Sequence, residues 1–279
     1  MQILHPKSLK DHSLLDSGDG RKLERFAGYL ISRPEPGAIW NKKLPADQWN
    51  QAQAVFIETG KWRQVSPPPR PWLFRYKDLT LELKLTPYKH TGVFPEQAVN
   101  WDWASDLITK SQRKPSILNL FAYTGAATLA AAAAGASVCH VDSSQPAVKW
   151  AKRNQELSKL ADKPIRWIVD DCLKFAEREA KRGVKYDAII MDPPAFGRDT
   201  SGKTFKFDRD LPRLLNICSN LLPDNPLFFL INAYNVGHSP QALKNLLADI
   251  LPSSRIQCGE LHLSNDDISM PCSIFARYS

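Results

Sequence analysis

The segment Ile117–Gly125 reads I-L-N-L-F-A-Y-T-G and leads into an alanine-rich stretch that starts at Ala126. The apolar first half predicts a buried strand, and the alanine-rich stretch predicts a helix. A buried strand that runs through a short turn into a helix is the first half of a βαβ unit, which binds ligands beyond the carboxyl end of its strand. Gly125 suits such a turn because glycine tolerates a positive φ and a close approach of the backbone.

After residue 111, short apolar runs alternate with stretches of helical period, which predicts a parallel sheet with crossover helices. The predicted strands lie at 117–121, 137–142, 166–169, 186–192, 227–231, 255–262 and 272–278. The last two leave no room for a helix between them, so we expect them to pair antiparallel. The predicted fold class is α/β, with a Rossmann-like doubly wound sheet of seven strands.

Residues 1–110 have a different composition, which is rich in aromatic residues and proline. Short extended runs occur at 26–32, 62–65 and 72–85, and the last of them alternates leucine with polar residues as a half-buried strand does. Residues 47–59 predict one helix. We therefore predict a small β-rich N-terminal module over 1–110 and a second domain over 111–279.

Charge and cysteine usage limit the class of protein. The chain has 37 Lys and Arg against 29 Asp and Glu, a net charge of +8 that favours a polyanionic partner such as nucleic acid. Its five cysteines form no Cys-x-x-Cys pair, which argues against a disulfide framework or a structural zinc site. The first residues lack the apolar region of a signal peptide, and polar residues interrupt the most apolar stretch, 117–138, so we expect a cytoplasmic protein.

Acidic residues follow the second and third predicted strands of the sheet. Asp142 follows Gly125 by 17 residues, near the position where a carboxylate accepts hydrogen bonds from both hydroxyls of a ribose. Asp170 and Asp171 follow the third strand, where a carboxylate can accept from an adenine amino group. Capping of the next helix is the alternative role for each. A dinucleotide fingerprint has three glycines and this turn has one, so a ligand without a pyrophosphate fits better.

The fourth strand runs into D-P-P-A-F, residues Asp192–Phe196. Consecutive prolines forbid a helix and hold the backbone extended, which directs the Asp192 carboxylate and the Pro193 carbonyl rigidly into the site. These acceptors fit an exocyclic amine or a ring nitrogen of a base, and Phe196 fits a stacking role. An ordinary rigid turn is the alternative.

These segments, together with T-G-V-F-P-E-Q at 91–97, resemble the class I S-adenosylmethionine (SAM)-dependent methyltransferases that modify large-subunit ribosomal RNA, a family with cytosine-C5 and guanine-N7 members. The resemblance covers residues 89–279 and implies a class I methyltransferase sheet, SAM as cofactor, ribosomal RNA as substrate and no metal. It implies that SAM is held by Phe94, Gln97, Asn119, Phe121, Tyr123, Thr124, Gly125, Asp142, Ser143 and Asp171. It places beside the methyl-accepting base the residues Asp192, Pro193, Pro194 and Phe196.

One departure from that family bears on the chemistry. Its cytosine-C5 members carry a nucleophilic cysteine after the fifth strand, because the C5 carbon becomes nucleophilic only after a thiolate adds at C6. Here residues 230–234 read L-I-N-A-Y, Ala195 follows the prolines, and Cys172 falls on the cofactor side. We therefore predict methylation of a nitrogen or an oxygen of a base or ribose, which requires only in-line positioning. A protein or small-molecule substrate is the alternative, since the fold does not choose a substrate.

Residues 197–204 read G-R-D-T-S-G-K-T and match the P-loop pattern, which makes a nucleotide triphosphatase a further alternative. A P-loop joins a strand directly to a helix that begins at its Lys-Thr pair. Here the prolines and Phe196 intervene after the strand, and Pro212 would fall inside the helix. We interpret the segment as a polar loop in which Arg198 and Lys203, with Lys206 just beyond it, contact RNA phosphates.

Overall fold

The computed structural model describes residues 1–7, 9–198 and 204–279. Its strands, in chain order, are β1 (Gln2–Leu4), β2 (His12–Gly18), β3 (Arg21–Phe26), β4 (Tyr29–Pro34), β5 (Ala54–Glu58), β6 (Lys61–Gln64), β7 (Leu73–Tyr76), β8 (Leu79–Glu82), β9 (Ser116–Leu120), β10 (Ser137–Asp142), β11 (Ile165–Val169), β12 (Ala188–Met191), β13 (Phe196–Arg198), β14 (Thr204–Lys206), β15 (Phe228–Ala233), β16 (Ile256–Ser264) and β17 (Ser269–Tyr278). The helices are α1 (Ala46–Trp49), α2 (Ala98–Lys110), α3 (Ala126–Ala133), α4 (Gln145–Leu157), α5 (Cys172–Lys181), α6 (Phe207–Ser219) and α7 (Pro240–Ala248), with short 3-10 helices at Pro95–Gln97 and Ser253–Arg255. None of the helices in these ranges has the length and apolar character needed to cross a membrane.

The chain forms two compact units, and each is discontinuous in sequence. The first contains Met1–Leu4, Val99–Leu261 and Cys272–Ser279, and the second contains His5–Ala98 and His262–Pro271. The two units are defined by contacts within the structure, whereas the boundary predicted near residue 110 separates domains that would fold independently. That boundary stays a prediction.

An eight-stranded sheet lies at the centre of the first unit, in the order β1-β16-β17-β15-β12-β9-β10-β11. The pairs from β15 to β11 are parallel, and β17 runs antiparallel to β15. All seven predicted strands are present, and the chain order reverses at β9, which lies between β10 and β12. The α/β, doubly wound fold class is therefore confirmed, and the reversal marks the place where such sheets bind ligands.

The sequence does not predict the eighth strand, β1. It pairs in parallel with β16, with Gln2 opposite Gly259 and Leu4 opposite Leu261. Its three residues are mostly exposed, so the strand carries no periodic burial that a sequence pattern could reveal. The prediction of seven strands is therefore one short.

The second unit is rich in β structure, as predicted. A five-stranded sheet runs in the order β2-β3-β4-β5-β6, and β7 pairs with β8 in a separate hairpin. In β8, Leu79 and Leu81 are buried while Thr80 and Glu82 are half-buried, which is the predicted alternation.

The helix predicted over 47–59 is wrong. Helix α1 covers only Ala46–Trp49, and Ala54–Glu58 forms strand β5. This strand pairs with two neighbours, β4 on one side and β6 on the other. Pairing of this kind is a tertiary constraint that outweighs local helix propensity, and the β-branched and aromatic residues of V-F-I suit it.

The P-loop alternative fails on the geometry of its flanks. Residues 199–203 lie outside the described residues, but β13 and β14 on either side pair antiparallel, with Phe196 opposite Lys206. Helix α6 then begins at Phe207, beyond the Lys-Thr pair with which a P-loop helix starts. Pro212 does lie inside α6, so the helix tolerates it, and the antiparallel hairpin is the stronger reason against a P-loop.

A cluster of charged side chains is buried in the second unit. Glu24 accepts hydrogen bonds from Arg33 Nε at 2.6 Å and lies 3.1 Å from His12 Nε2, and Lys22 Nζ lies 3.1 Å from Glu35. Burial alone would raise the pKa of Glu24, but the charges of Arg33 and Lys22 hold it well below its usual range. Glu24 is therefore ionised, and its buried charge depends on these partners.

Replacing Glu24 with Gln is expected to lower the free energy of unfolding by about 3–5 kcal/mol, because Arg33 is then buried without its counter-charge. Urea unfolding followed by tryptophan fluorescence measures the change. Glu58→Gln is the matched control, since Glu58 forms an exposed pair with Lys61 and such pairs contribute at most about 1 kcal/mol. Equal small losses in both variants would contradict the account of the cluster.

Candidate active site

Two segments leave the sheet side by side where the chain order reverses. In β9 and β12, Leu120 lies opposite Met191, so the turn that starts at Phe121 and the segment that starts at Asp192 begin next to each other. Strand β15 continues the row, with Ile231 opposite Met191. The predicted cofactor turn and the predicted acceptor segment therefore share one edge of the sheet.

The turn after β9 has an unusual backbone. Phe121, Tyr123 and Gly125 have φ values of 55°, 49° and 87°, and a positive φ at a bulky residue costs about 1–3 kcal/mol. Hydrogen bonds hold the strained residues: Phe121 N donates to Cys172 Sγ at 3.2 Å, and Tyr123 N donates to Asp142 Oδ2 at 2.8 Å. Strain of this kind is concentrated at functional sites, where surrounding contacts maintain it.

Gly125 has a second structural role that its sequence position does not reveal. A Cβ atom at this residue would lie 2.9 Å from the Cβ of Ala151 on α4. The glycine is therefore needed for close packing of a helix as well as for its positive φ. Its approach to a ligand stays a prediction.

Asp142, at the end of β10, organises the backbone around it. Its Oδ2 accepts from Tyr123 N and its Oδ1 accepts from Ser144 N, each at 2.8 Å. Burial raises its pKa, and these two backbone hydrogen bonds act in the opposite direction. Each carboxylate oxygen has two lone pairs, so the group retains acceptor capacity for the two hydroxyls of a ribose. Ser143, which lies between these contacts, is half-buried.

Asp171 has the capping role that the sequence left open. It is the N-cap of α5, and its Oδ1 accepts from Lys174 N at 2.8 Å. Its neighbour Asp170 forms an ion pair with Arg178. A role for Asp171 at the adenine stays a prediction.

Asn119 and Thr124 support the turn from its buried side. Asn119 Nδ2 donates to Thr128 Oγ1 at 2.8 Å, and that hydroxyl lies 2.9 Å from His140 Nδ1. Burial lowers the pKa of His140 to about 3, so the imidazole is neutral. Thr124 is buried, and its carbonyl accepts from Asn154 Nδ2 at 2.9 Å. Sequence reasoning missed Thr128, His140 and Asn154, whose partners lie 9, 12 and 30 residues away on other elements or turns.

The acceptor segment combines a restrained carboxylate with an exposed aromatic ring. Asp192 Oδ1 accepts from Asn232 Nδ2 at 2.9 Å. Pro193 is buried and Pro194 is half-buried, whereas the side chain of Phe196 is 74% exposed. The structure thus joins the first of these four predicted residues, Asp192, to Asn232, which the sequence did not single out.

Phe94 and Gln97 belong to the second unit. Phe94 precedes the 3-10 helix Pro95–Gln97, its ring lies 5.1 Å from that of His90, and its carbonyl accepts from Gln97 N at 3.1 Å. Their role at the cofactor stays a prediction.

Comparison with known proteins identifies the family of this chain. The family described as S-adenosylmethionine-dependent methyltransferase matches residues 58–256. The chain belongs to this family. A crystal structure of the SAM-dependent methyltransferase from Agrobacterium tumefaciens is 37% identical, with a TM-score of 0.93, and the match covers 100% of this chain and 93% of that one.

Two further comparisons support narrower conclusions, one because it covers only part of the relative and the other because the sequence identity is low. The ribosomal RNA large subunit methyltransferase K/L from Shewanella sp. (strain ANA-3) is 35% identical over 147 residues, which are 52% of this chain and 20% of that protein. The chain therefore matches about a fifth of the length of this curated relative. A methyltransferase solved in complex with SAH is 17% identical, with a TM-score of 0.76 over 98% of this chain and 76% of that one, a likeness that shows the fold alone.

SAM is the cofactor of the family, and the geometry of this site fits it. Asp142 is a half-buried carboxylate with remaining acceptor capacity, which suits a ribose. The strained turn from Phe121 to Gly125 contains one glycine and no cradle for a pyrophosphate. When bound, SAM supplies an electrophilic methyl group on a sulfonium.

Replacing Asp142 with Asn is expected to weaken SAM binding by about 10- to 100-fold, because hydrogen bonds to a charged acceptor contribute about 1.5–3 kcal/mol. Isothermal titration calorimetry measures the dissociation constant. Asp162→Asn, at an exposed aspartate, is the matched control and should bind SAM as the wild type does. An unchanged affinity in D142N would remove Asp142 from the cofactor site.

SAM affinity is also expected to depend on pH through Asp142. The ribose hydroxyls donate to the ionised carboxylate, so protonation removes the acceptor and affinity falls as the pH is lowered. Because burial raises the pKa of Asp142, the fall should begin above the range of an ordinary aspartate, about 3.9. Calorimetric titrations at decreasing pH test this. D142N should lack this dependence, and a parallel fall in that variant would assign it to another group.

Proposed function

We propose that this protein transfers the methyl group of SAM to a nitrogen, or an oxygen, of a base or ribose in ribosomal RNA. Relatives that are 35% identical over part of the chain are named ribosomal RNA large subunit methyltransferases, and this supports RNA as the substrate. The net charge of +8 favours a polyanionic substrate. An enzyme of this kind acts where ribosomes are assembled, so we propose a cytoplasmic location.

The observation that carries the proposal is an exposed aromatic ring, Phe196, four residues after the restrained carboxylate of Asp192. A large apolar side chain that is 74% exposed offers a stacking surface for an unpaired base. The Asp192 carboxylate, oriented by Asn232, accepts a hydrogen bond from a donor on the edge of that base. Stacking and edge recognition are the two contacts by which proteins hold single bases.

A cation lies next to this stacking surface. Lys206 is directly opposite Phe196 in the β13–β14 hairpin and is exposed. An aromatic ring beside an ammonium group suits a nucleotide, which offers a base and a phosphate together. The side chains of Arg198 and Lys203, also predicted to contact phosphates, lie outside the described part of the chain.

The state of Cys172 favours methylation at nitrogen or oxygen over carbon. Burial raises its pKa well above the usual range, and its sulfur accepts from Phe121 N at 3.2 Å. A thiol in this state is a structural group, because only the thiolate is an effective nucleophile. Cys139 and Cys218 are also buried, with raised pKa values. Methyl transfer to nitrogen or oxygen requires only in-line positioning of a lone pair.

Methyl-labelled SAM and ribosomal RNA that lacks its natural methylations test the proposal. We expect label in the RNA, on a nucleoside that digestion and mass spectrometry identify as nitrogen- or oxygen-methylated. Phe196→Ala should lower kcat/KM for RNA about 10-fold or more, because base stacking contributes about 1–3 kcal/mol, while SAM affinity is retained.

Tyr88→Ala is the control, since that aromatic ring is 69% exposed and lies on the second unit. It should leave kcat/KM unchanged. Label found only in protein or in small molecules would reject the RNA substrate. A C5-methylated cytosine would reject the choice of nitrogen or oxygen.

A further inference from the structure

Two hydrogen bonds link the side chains of Ser273, Asn232 and Asp192 across the sheet. Ser273 Oγ donates to Asn232 Oδ1 at 3.0 Å, and Asn232 Nδ2 donates to Asp192 Oδ1 at 2.9 Å. The three residues come from neighbouring strands or their ends: Asp192 follows β12, Asn232 is in β15 and Ser273 is in β17. This chain of hydrogen bonds thus crosses the sheet at the edge where the acceptor segment begins.

The chemistry of the partners sets the direction of this chain. The carboxylate oxygen Oδ1 of Asp192 is the acceptor, so Asn232 turns its Nδ2 toward Asp192. Its Oδ1 then faces the other way and takes the hydroxyl proton of Ser273. Every hydrogen bond therefore points toward Asp192, and the amide has one favourable orientation.

The burial of Asn232 indicates why it is there. Strand β15 is buried along its whole length, its other residues are apolar, and Asn232 is 3% exposed. A buried amide is costly unless it is hydrogen-bonded, so a site that only needed filling would suit an apolar residue. Among the described residues, Asp192 is the acceptor for its amide group and Ser273 is the donor to its carbonyl.

We propose that Asn232 and Ser273 are positioning residues for methyl transfer. They hold the Asp192 carboxylate in one orientation at the edge of the sheet, so that a donor on the acceptor nucleotide meets a fixed acceptor. This inference rests on the function proposed above. It assigns the two residues a role through Asp192 and no contact with SAM or RNA.

Kinetics of Asn232→Leu test this role, since leucine has the same number and branching of side-chain heavy atoms and removes both hydrogen bonds. We expect kcat for RNA methylation to fall about 10- to 100-fold, because small misplacements at a reacting centre have effects of this size. The SAM dissociation constant and the melting temperature should stay close to wild type. Ser273→Ala should give a smaller fall. Asn245→Leu, at an exposed asparagine on α7, is the matched control and should keep its kcat.

A double-mutant cycle separates positioning from a purely structural role. If Asn232 acts through Asp192, adding Asn232→Leu to Asp192→Ala should change kcat less than about 3-fold, because the partner is already gone. Additive losses would overturn the inference. So would a lowered melting temperature that accounts for the whole loss in kcat.

Side-chain amide NMR tests the chain without any substrate. The Asn232 amide signals, identified by their absence in N232L, should exchange slowly with solvent and shift in both Asp192→Ala and Ser273→Ala. Asn232 amide signals whose chemical shifts do not change in Asp192→Ala would overturn the inference even if the enzyme methylates RNA. A wild-type protein with coupled signals but no RNA methylation would reject the proposed function and keep the chain of hydrogen bonds.

Discussion

The backbone N–H of Tyr123 donates a hydrogen bond to Asp142 Oδ2, and the rest of the candidate site depends on it. The bond joins the turn after β9 to the end of β10 and holds Tyr123 at a φ that bulky residues rarely adopt. The second oxygen of the same carboxylate accepts from Ser144, the N-cap of α4. Helix α4 in turn packs Ala151 against Gly125. One side chain thereby determines the shape of the turn and the start of a helix.

The parts of the fold that the sequence predicts correctly are those with strong local patterns. Four strands of the parallel sheet, β9, β10, β12 and β15, are largely buried apolar runs between helical stretches, which leaves little room for other interpretations. The segment Asp192–Phe196 was recognisable because its prolines restrict the backbone whatever surrounds them. Errors arise where tertiary pairing decides. Strand β5 forms between β4 and β6 in a segment that predicts a helix, and β1 is too short and exposed to leave a pattern.

The supporting residues of the site had no local signal at all. Asn232 and Asp192 are 40 residues apart in the chain, and Ser273 lies 41 residues beyond Asn232. Only the order of the strands brings them together, and no spacing in the sequence encodes that order. Asp171 shows the converse limit: its position after a strand is equally suited to a helix cap and to a ligand, and the structure shows the cap. The residues that are predicted to bind a ligand thus have a local signal in the sequence, whereas those that support them have none.

Strand β1 has a consequence for how the chain folds during synthesis. Residues Gln2–Leu4 are synthesised more than 250 residues before their partners in β16. At about 5–20 residues per second, β1 waits on the order of 10–50 seconds for its place in the sheet. The second unit is also completed late, because it includes residues 262–271. Both units therefore close only after residue 271 has been translated.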